Sequence, residues 1–434
     1  MIWNRDMETA NRADLAALQL ARLQQTVTHS YQNAPYYRAK MDALGVMPQD
    51  IKTFDDIRQL PFTTKQDMRD NYPYGMLATP LQQIVRLHCS SGTTGKPTVV
   101  AYTRHDLAIW AEVIARTLTA GGVTDKSVFQ VGVNYGLFTG GLGIHYGAET
   151  VGASVVPASG GNTARQIMLM QDFGTTAMVV TPSYSLYLAE TMRDMGIAPG
   201  DTALQALFCG AEAWSDQMHQ EVEDAFGVRA FDIYGLSEII GPGVACECEV
   251  HEDLHIQQDH FYCEVIDPLT EEVLPEGDLG ELVITTLTKE GMPMIRYRTR
   301  DLTRLVPGEE SCSCGRTQAK MKRVMGRTDD MLVIRGVNVF PSQVESVLLG
   351  LGETAPHYQL IVEREHNLDI LTILVEKSEQ LAAAAGENVN AVERKIRERM
   401  KVATAVTAAV RLVEPKTIER SEGKAKRVID KRVS

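Results

Sequence analysis

Between about residues 85 and 290 the chain alternates short apolar runs with longer amphipathic stretches, and no other feature narrows its fold as far. Ala177-Met178-Val179-Val180 and Ala206-Leu207-Phe208-Cys209 have the length of buried strands, while Ser215–Phe226 spaces its apolar residues as one face of a helix. Such strand–helix units in succession predict a largely parallel sheet. Phe261–Ile266 and Gly280–Thr286, separated by the turn signal Pro275-Glu276-Gly277-Asp278, read as a more antiparallel region. Residues 8–70 carry helical periodicity, as in Asp14–Leu23. Beyond about residue 330 a fresh pattern begins: a strand at Met331–Ile334, a helix from Ser342, strands near Tyr358–Val362 and Ile370–Val375, and a helix over Ala391–Met400. The length, 434 residues, exceeds what one hydrophobic core usually organises. The expected fold is α/β: a large N-terminal domain (1–328) with mainly parallel sheets and helices, and a small C-terminal α+β domain (329–434).

Composition removes several function classes. With 43 Lys and Arg against 56 Asp and Glu, the net charge is −13, which argues against a nucleic-acid partner. No run approaches the ~18 consecutive apolar residues of a membrane span, and Met1–Glu8 has no apolar signal-peptide core. A soluble, cytoplasmic protein is expected. Seven cysteines, an odd and sparse set, do not form a secreted disulfide framework.

Ser90-Ser91-Gly92-Thr93-Thr94-Gly95-Lys96-Pro97 has the chemistry of a polyphosphate cradle. Its hydroxyls and backbone N–H groups can wrap phosphate oxygens, and its glycines permit close backbone approach. A kinase-type phosphate loop is excluded, because only two residues separate Gly92 from Gly95 and Pro97 stands where a magnesium-binding hydroxyl would follow the lysine.

This segment resembles the phosphate loop of AMP-forming acyl-CoA synthetases, the adenylate-forming superfamily. Tyr234-Gly235-Leu236-Ser237-Glu238, Arg296–Asp301, Gly326-Arg327-Thr328-Asp329-Asp330 and Ser421-Glu422-Gly423-Lys424 fit the same superfamily in order. Tyr135–Gly143, Thr285–Glu290 and Arg335–Pro341 are similar to the phenylacetate–CoA ligase family. The chemistry is self-consistent. A carboxylate resists attack by a thiol because its leaving group is poor, whereas attack on the α-phosphate of ATP expels diphosphate and leaves an acyl-adenylate with AMP to displace. Neither step needs a protein nucleophile, only positioning and charge stabilisation.

The resemblance implies roles residue by residue. Ser90, Ser91, Gly92, Thr93, Thr94, Gly95 and Lys96 would hold the β- and γ-phosphates, with Gly210, Ala211, Glu212, Asp232, Tyr234 and Gly235 near adenine. Ser237 would donate to the α-phosphate, Glu238 would ligate Mg2+, Asp301 would accept from both ribose hydroxyls, and Arg327 would assist. Lys424 would be the catalytic lysine of adenylation. Val133, Tyr135, Phe138, Gly140 and Gly141 would form the acid pocket. Asp329, with Asp330 as the alternative, would be the hinge of a swinging small domain, and Arg335, Gly336, Val337 and Asn338 would border a coenzyme A tunnel. The family pattern reads Tyr-Gly-Tyr-Gly-Leu-Phe where this chain has Val133–Phe138, and Pro where it has Ala213, which opens the choice of acid to larger or differently substituted arylacetic or benzoic acids.

Cys246-Glu247-Cys248, His251, His255 and Cys312-Ser313-Cys314 offer thiolates and imidazoles suited to tetrahedral Zn2+. The resemblance favours Cys248, His255, Cys312 and Cys314, leaving Cys246 and His251 as alternatives. The expected reaction joins an aryl acid to coenzyme A at the expense of ATP. Delivery of the acyl group to an amine or carrier protein is one rival, and a non-catalytic nucleotide-binding regulator the other. A homodimer through the helical N-terminal segment is expected by family analogy alone.

Overall fold

The computed structural model describes residues 1–90, 97–307, 312–335, 337–365, 368–383 and 386–432. The strand–helix alternation does build a parallel array: Ser154–Val156, Val128–Val131, Ala177–Val180, Ala206–Gly210 and Arg229–Leu236 lie side by side in that order, all parallel. The sheet then reverses. Gly241–Cys246, Leu254–Ile256 and Lys320–Met321 continue it antiparallel to a total of eight strands, so the mainly parallel sheet ends in an antiparallel edge.

Helices pack on the parallel part because their caps fix where they start. Thr103 accepts from the Asp106 N–H and begins Arg104–Ala120, and Thr181 accepts from the Tyr184 N–H ahead of Pro182, which opens Pro182–Asp194. Ser215 caps Asp216–Phe226, which ends on left-handed Gly227. Phe261–Ile266, Gly280–Thr286, Tyr297–Thr303 and Gly326–Arg327 form a second, antiparallel sheet. The N-terminal region is helical as expected, at Arg12–Asn33, Pro35–Leu44 and Lys65–Asp70.

The small C-terminal domain has its own core, drawn from Leu332 onward. Its sheet runs Ala409–Val413, Leu368–Lys377, Thr354–Glu365, Val428–Asp430, with helices Pro341–Leu349 and Gly386–Thr404. Leu349 leaves that core and packs with Met218 and Val222 of the large domain. Among the described residues no helix is long and apolar enough to cross a membrane.

Candidate active site

Parallel strands that end on one side of a sheet leave a crevice beyond their carboxyl ends, the usual ligand position in such folds. Here a cavity of about 650 Å³ opens there, closed on its far side by the small domain. Close backbone approach shapes its walls. A Cβ on Gly235 would lie 2.1 Å from the Gly241 carbonyl oxygen, and one on Gly210 would lie 2.4 Å from that of Ile233. Ala211 follows in the left-handed region at φ 71°, a conformation that costs a residue with a Cβ about 1 kcal/mol and turns the chain towards Glu212.

Seventeen residues singled out from the sequence line this one space: Ser90, Val133, Phe138, Gly140, Gly210, Ala211, Glu212, Asp232, Tyr234, Gly235, Ser237, Glu238, Asp301, Arg327, Asp329, Asp330 and Lys424. Ser91 to Lys96 and Gly336 lie outside the described residues.

Asp301 is the best-defined of them. It sits opposite Arg327 in the ladder between two strands of the antiparallel sheet, and that register delivers the Arg327 Nη1 to Asp301 Oδ1 at 2.8 Å. The Tyr234 hydroxyl donates to the other oxygen at 2.7 Å. Burial raises the Asp301 pKa, and Arg327 and the Tyr234 hydroxyl oppose the shift. Arg327 also grips Asp329 through Nε and Nη2, at 2.8 and 3.1 Å, while Asp330 stands 3.9 Å from Nε.

Glu238 is buried at the cavity wall, with Thr98 Oγ1 and Lys65 Nζ each 3.4 Å from Oε1. Lys65, at the start of an N-terminal helix capped by Thr64, escaped the sequence reading, because nothing in a helical run 173 residues from Glu238 marks a residue that folds back to it. Beneath them Lys289 donates to the Glu238 and Ile239 carbonyls at 3.1 and 2.6 Å, and burial pulls its pKa down to about 8. The Ser237 and Thr139 hydroxyls share a hydrogen bond of 2.8 Å. Asp232 is pushed up by burial and by Glu247.

The catalytic-lysine candidate enters from the opposite domain. Lys424 lines the cavity and stays open to it, and the neighbouring Ala425 N–H donates to Glu212 Oε1 at 2.7 Å. Glu212 Oε2 accepts from Ser183 Oγ at 2.6 Å, so this carboxylate ties the sheet edge to the lysine segment. Burial raises its pKa, against the pull of the Ser183 hydrogen bond.

One part of the lining is apolar, with Val133, Phe138, Ile144, Val179, Val180 and Pro242. Two of the residues expected at the acid pocket stand away from this lining. Tyr135 is absent from the lining because its hydroxyl bonds His145 Nδ1 at 3.0 Å on the following helix, and His145 in turn meets Glu149 at 3.1 Å. Gly141 is absent too. It packs under the Asn134 carbonyl, where a Cβ would come within 2.6 Å. Gly140 makes room for the Phe138 ring instead. The intervening Leu137 carbonyl accepts from the Cys89 N–H at 3.0 Å and meets His88 Nδ1 at 3.1 Å, next to Ser90.

Arg335, Val337 and Asn338 do not reach the cavity in this arrangement. They lie on the hairpin of Leu332–Ile334 with Val337–Val339, where Arg335 donates to the Asp369 and Thr407 carbonyls of the small domain itself.

Away from the cavity, Cys248, His255, Cys312 and Cys314 bring their ligand atoms within 4.8 Å of one another. Gly315, at φ 90°, closes the knuckle as its N–H donates to the Cys312 carbonyl at 2.8 Å. Cys246 turns to the Gln257 amide at 3.9 Å and His251 packs on Phe231, so both stand apart from the four.

A crevice between a large and a small domain, with a lysine supplied by the small one, fits an AMP-forming ligase of the adenylate-forming class. The AMP-binding enzyme family matches residues 23–288, and the AMP-binding enzyme C-terminal domain matches 336–432. The chain is 47% identical over 446 residues to the phenylacetate–coenzyme A ligase of Thermus thermophilus, with all of both chains covered. It is 49% identical over 428 residues to that of Escherichia coli, covering 98% of this chain and 97% of the other. Within the AMP-binding enzymes, it belongs to the phenylacetate–coenzyme A ligase family. A 2-hydroxyisobutyryl-CoA ligase solved in the postadenylation state with 2-HIB-AMP superposes with a TM-score of 0.93, at 29% identity, over 100% of this chain and 93% of that one. The same ligase in its thioesterification state, with 2-HIB-AMP and CoA, superposes at 0.73, with 30% identity and 99% and 92% coverage.

Proposed function

We propose that the chain converts an aryl carboxylic acid, phenylacetate or a related arylacetic or benzoic acid, with ATP and coenzyme A into the aryl-CoA thioester, AMP and diphosphate. The observation that carries this reading is the Asp301–Arg327–Tyr234 cluster sharing one cavity with Glu238 and Lys424. Each carboxylate oxygen of Asp301 has a free lone pair left for a ribose hydroxyl. Glu238, a buried hard-oxygen donor facing the cavity, suits Mg2+, which when bound would screen the charge of the phosphates. Lys65 would add a second cation beside it, and Lys424 would stabilise the charge that develops as the acid oxygen attacks the α-phosphate and diphosphate leaves. The apolar wall from Val133 to Pro242 suits an aromatic ring. Val133, a small side chain, leaves more room there than a tyrosine would. Delivery of the acyl group to an amine or carrier protein is the reading that the same adenylation half would equally serve, and consumption of coenzyme A separates the two.

The pose explains why the Arg335–Asn338 hairpin stands off: it belongs to a second arrangement, reached when the small domain turns about Asp329, in which that loop would border the pantetheine path. We place the domain junction between Thr328 and Asp329 accordingly.

Zinc is the metal that the cysteine cluster fits. Two thiolates on a tetrahedral Zn2+ with bonds of about 2.3 Å lie about 3.8 Å apart, and a thiolate and an imidazole nitrogen about 3.6 Å. The Cys248–Cys312 sulfurs are 3.8 Å apart, and Cys314 Sγ is 3.6 Å from His255 Nε2. Four protein ligands leave no open position, so the role is structural. The test of the whole reading is a panel of aromatic acids assayed with ATP, Mg2+ and coenzyme A for both AMP and thioester. Absence of AMP with every acid overturns it.

A further inference from the structure

Arg420 lies outside the cavity, four residues before Lys424, and its guanidinium is saturated. Nε and Nη2 donate to the two oxygens of Glu190 at 2.7 and 2.9 Å, across the domain boundary. Nη1 and Nη2 donate to the two oxygens of Glu376 at 2.8 and 2.9 Å, and Nη1 also to the Ile418 carbonyl at 2.8 Å, all within the small domain. Five N–H groups meet five acceptors, the planar fork for which arginine alone is shaped. Glu376 is held in turn by the Lys416 and Ile418 N–H groups at 3.0 and 2.7 Å, so the small domain presents Arg420 ready formed.

Glu190 belongs to the helix Pro182–Asp194, and the amino end of that helix grips the segment between Arg420 and the lysine. The capping Thr181 hydroxyl donates to the Gly423 carbonyl at 2.9 Å, and Ser183 shares Glu212 with the Ala425 N–H. One rigid helix therefore touches the chain on both sides of Lys424, at its carboxyl half through Glu190 and at its amino end through Thr181 and Ser183.

We propose that Arg420, docked on Glu190, is a positioning residue for the adenylation half-reaction alone: it seats the Ser421–Ala425 segment so that Lys424 remains in the cavity, and it has no part in transfer to coenzyme A. This rests on the reading of Lys424 as the adenylating lysine. A pair that spans the two domains exists only while they are apposed in this way, so it favours the step carried out in this pose. Its companion, Glu376, keeps the loop folded in any pose. The two functions of one guanidinium are thus separable by mutation.

The experiment uses Glu190→Gln in the full chain, which removes the cross-domain charge and leaves the Arg420–Glu376 pair whole. Acid-dependent exchange of labelled diphosphate into ATP reads the first half-reaction, and conversion of synthetic phenylacetyl-adenylate plus coenzyme A reads the second. Exchange is expected to fall about threefold to tenfold, the scale of one well-formed ion pair, with transfer unchanged within about twofold. Arg420→Lys gives up the fork to Glu376 as well, so it is expected to lose exchange at least as far and also to melt lower than Glu190→Gln. Equal losses in both half-reactions, or no loss in either, overturn the proposal. Lys424→Ala is run beside them: undiminished exchange in that variant would overturn the role of Lys424 itself, a failure distinguishable from that of the latch.

Discussion

Asp301→Asn tests the nucleotide site with the least disturbance of shape. The carboxylate offers about four lone-pair sites, of which Arg327 and Tyr234 take one on each oxygen. Two remain for two ribose hydroxyls. In the amide, the oxygen must stay with Arg327, because two donors cannot face each other, and the NH2 then turns to Tyr234. The Arg327 bond is made with or without nucleotide, so its weakening costs stability and not ATP recognition. One ribose hydroxyl loses its acceptor, for about 1.5 kcal/mol, which predicts roughly a tenfold loss in kcat/KM for ATP, with the KM for the acid little changed. Diphosphate exchange measured against ATP, 2′-deoxy-ATP and 3′-deoxy-ATP gives an internal control. The wild type should lose about tenfold on removal of either hydroxyl, and in the variant at least one of those ratios should shrink towards one. If the variant keeps both ratios and the ATP KM, Asp301 does not hold the ribose.

Lys424→Ala is expected to abolish diphosphate exchange while ATP still binds, as read by calorimetric titration; turnover at the wild-type rate would refute its role. Protein purified without added metal should contain about one zinc per chain by elemental analysis, and Cys312→Ser should lose it and melt several degrees lower. Zinc far below one per chain in the wild type would end that assignment. His357, whose pKa is held down at about 4 by burial and then by Arg420, stays neutral when folded but charges near pH 6.5 when unfolded. The unfolded chain therefore binds more protons between about pH 4 and 6.5, and stability should drop as pH falls through that window. Denaturant melts of His357→Phe should show a shallower drop, and an equal slope would refute the linkage.

The sequence made much of this site legible because its motifs end parallel strands, and strand ends on one side of a sheet converge whatever their separation along the chain. Gly210, Tyr234 and Ser237 needed no more than that. What stayed hidden depends on packing between distant segments. Gly241–Cys246 did not read as a strand, since Gly-Pro-Gly suppresses the pattern; yet Gly241 and Gly243 are there because a Cβ at either would strike Trp110 or Val113, at 2.3 and 2.8 Å. That the Tyr135 hydroxyl meets His145 was not legible, because a hydroxyl chooses its partner in three dimensions. Lys65 carried no local mark at all. Of the six metal-ligand candidates, the two late cysteines stand beside Cys248 and His255 through the Gly315 turn, a proximity that no local pattern announces.

The single carbonyl of Leu137, shared by the Cys89 amide and the His88 ring, welds the turn proposed to face the acid to the strand that leads to the proposed phosphate segment. Redesign of that turn for a bulkier acid would therefore be felt at the triphosphate end, as lost affinity for ATP.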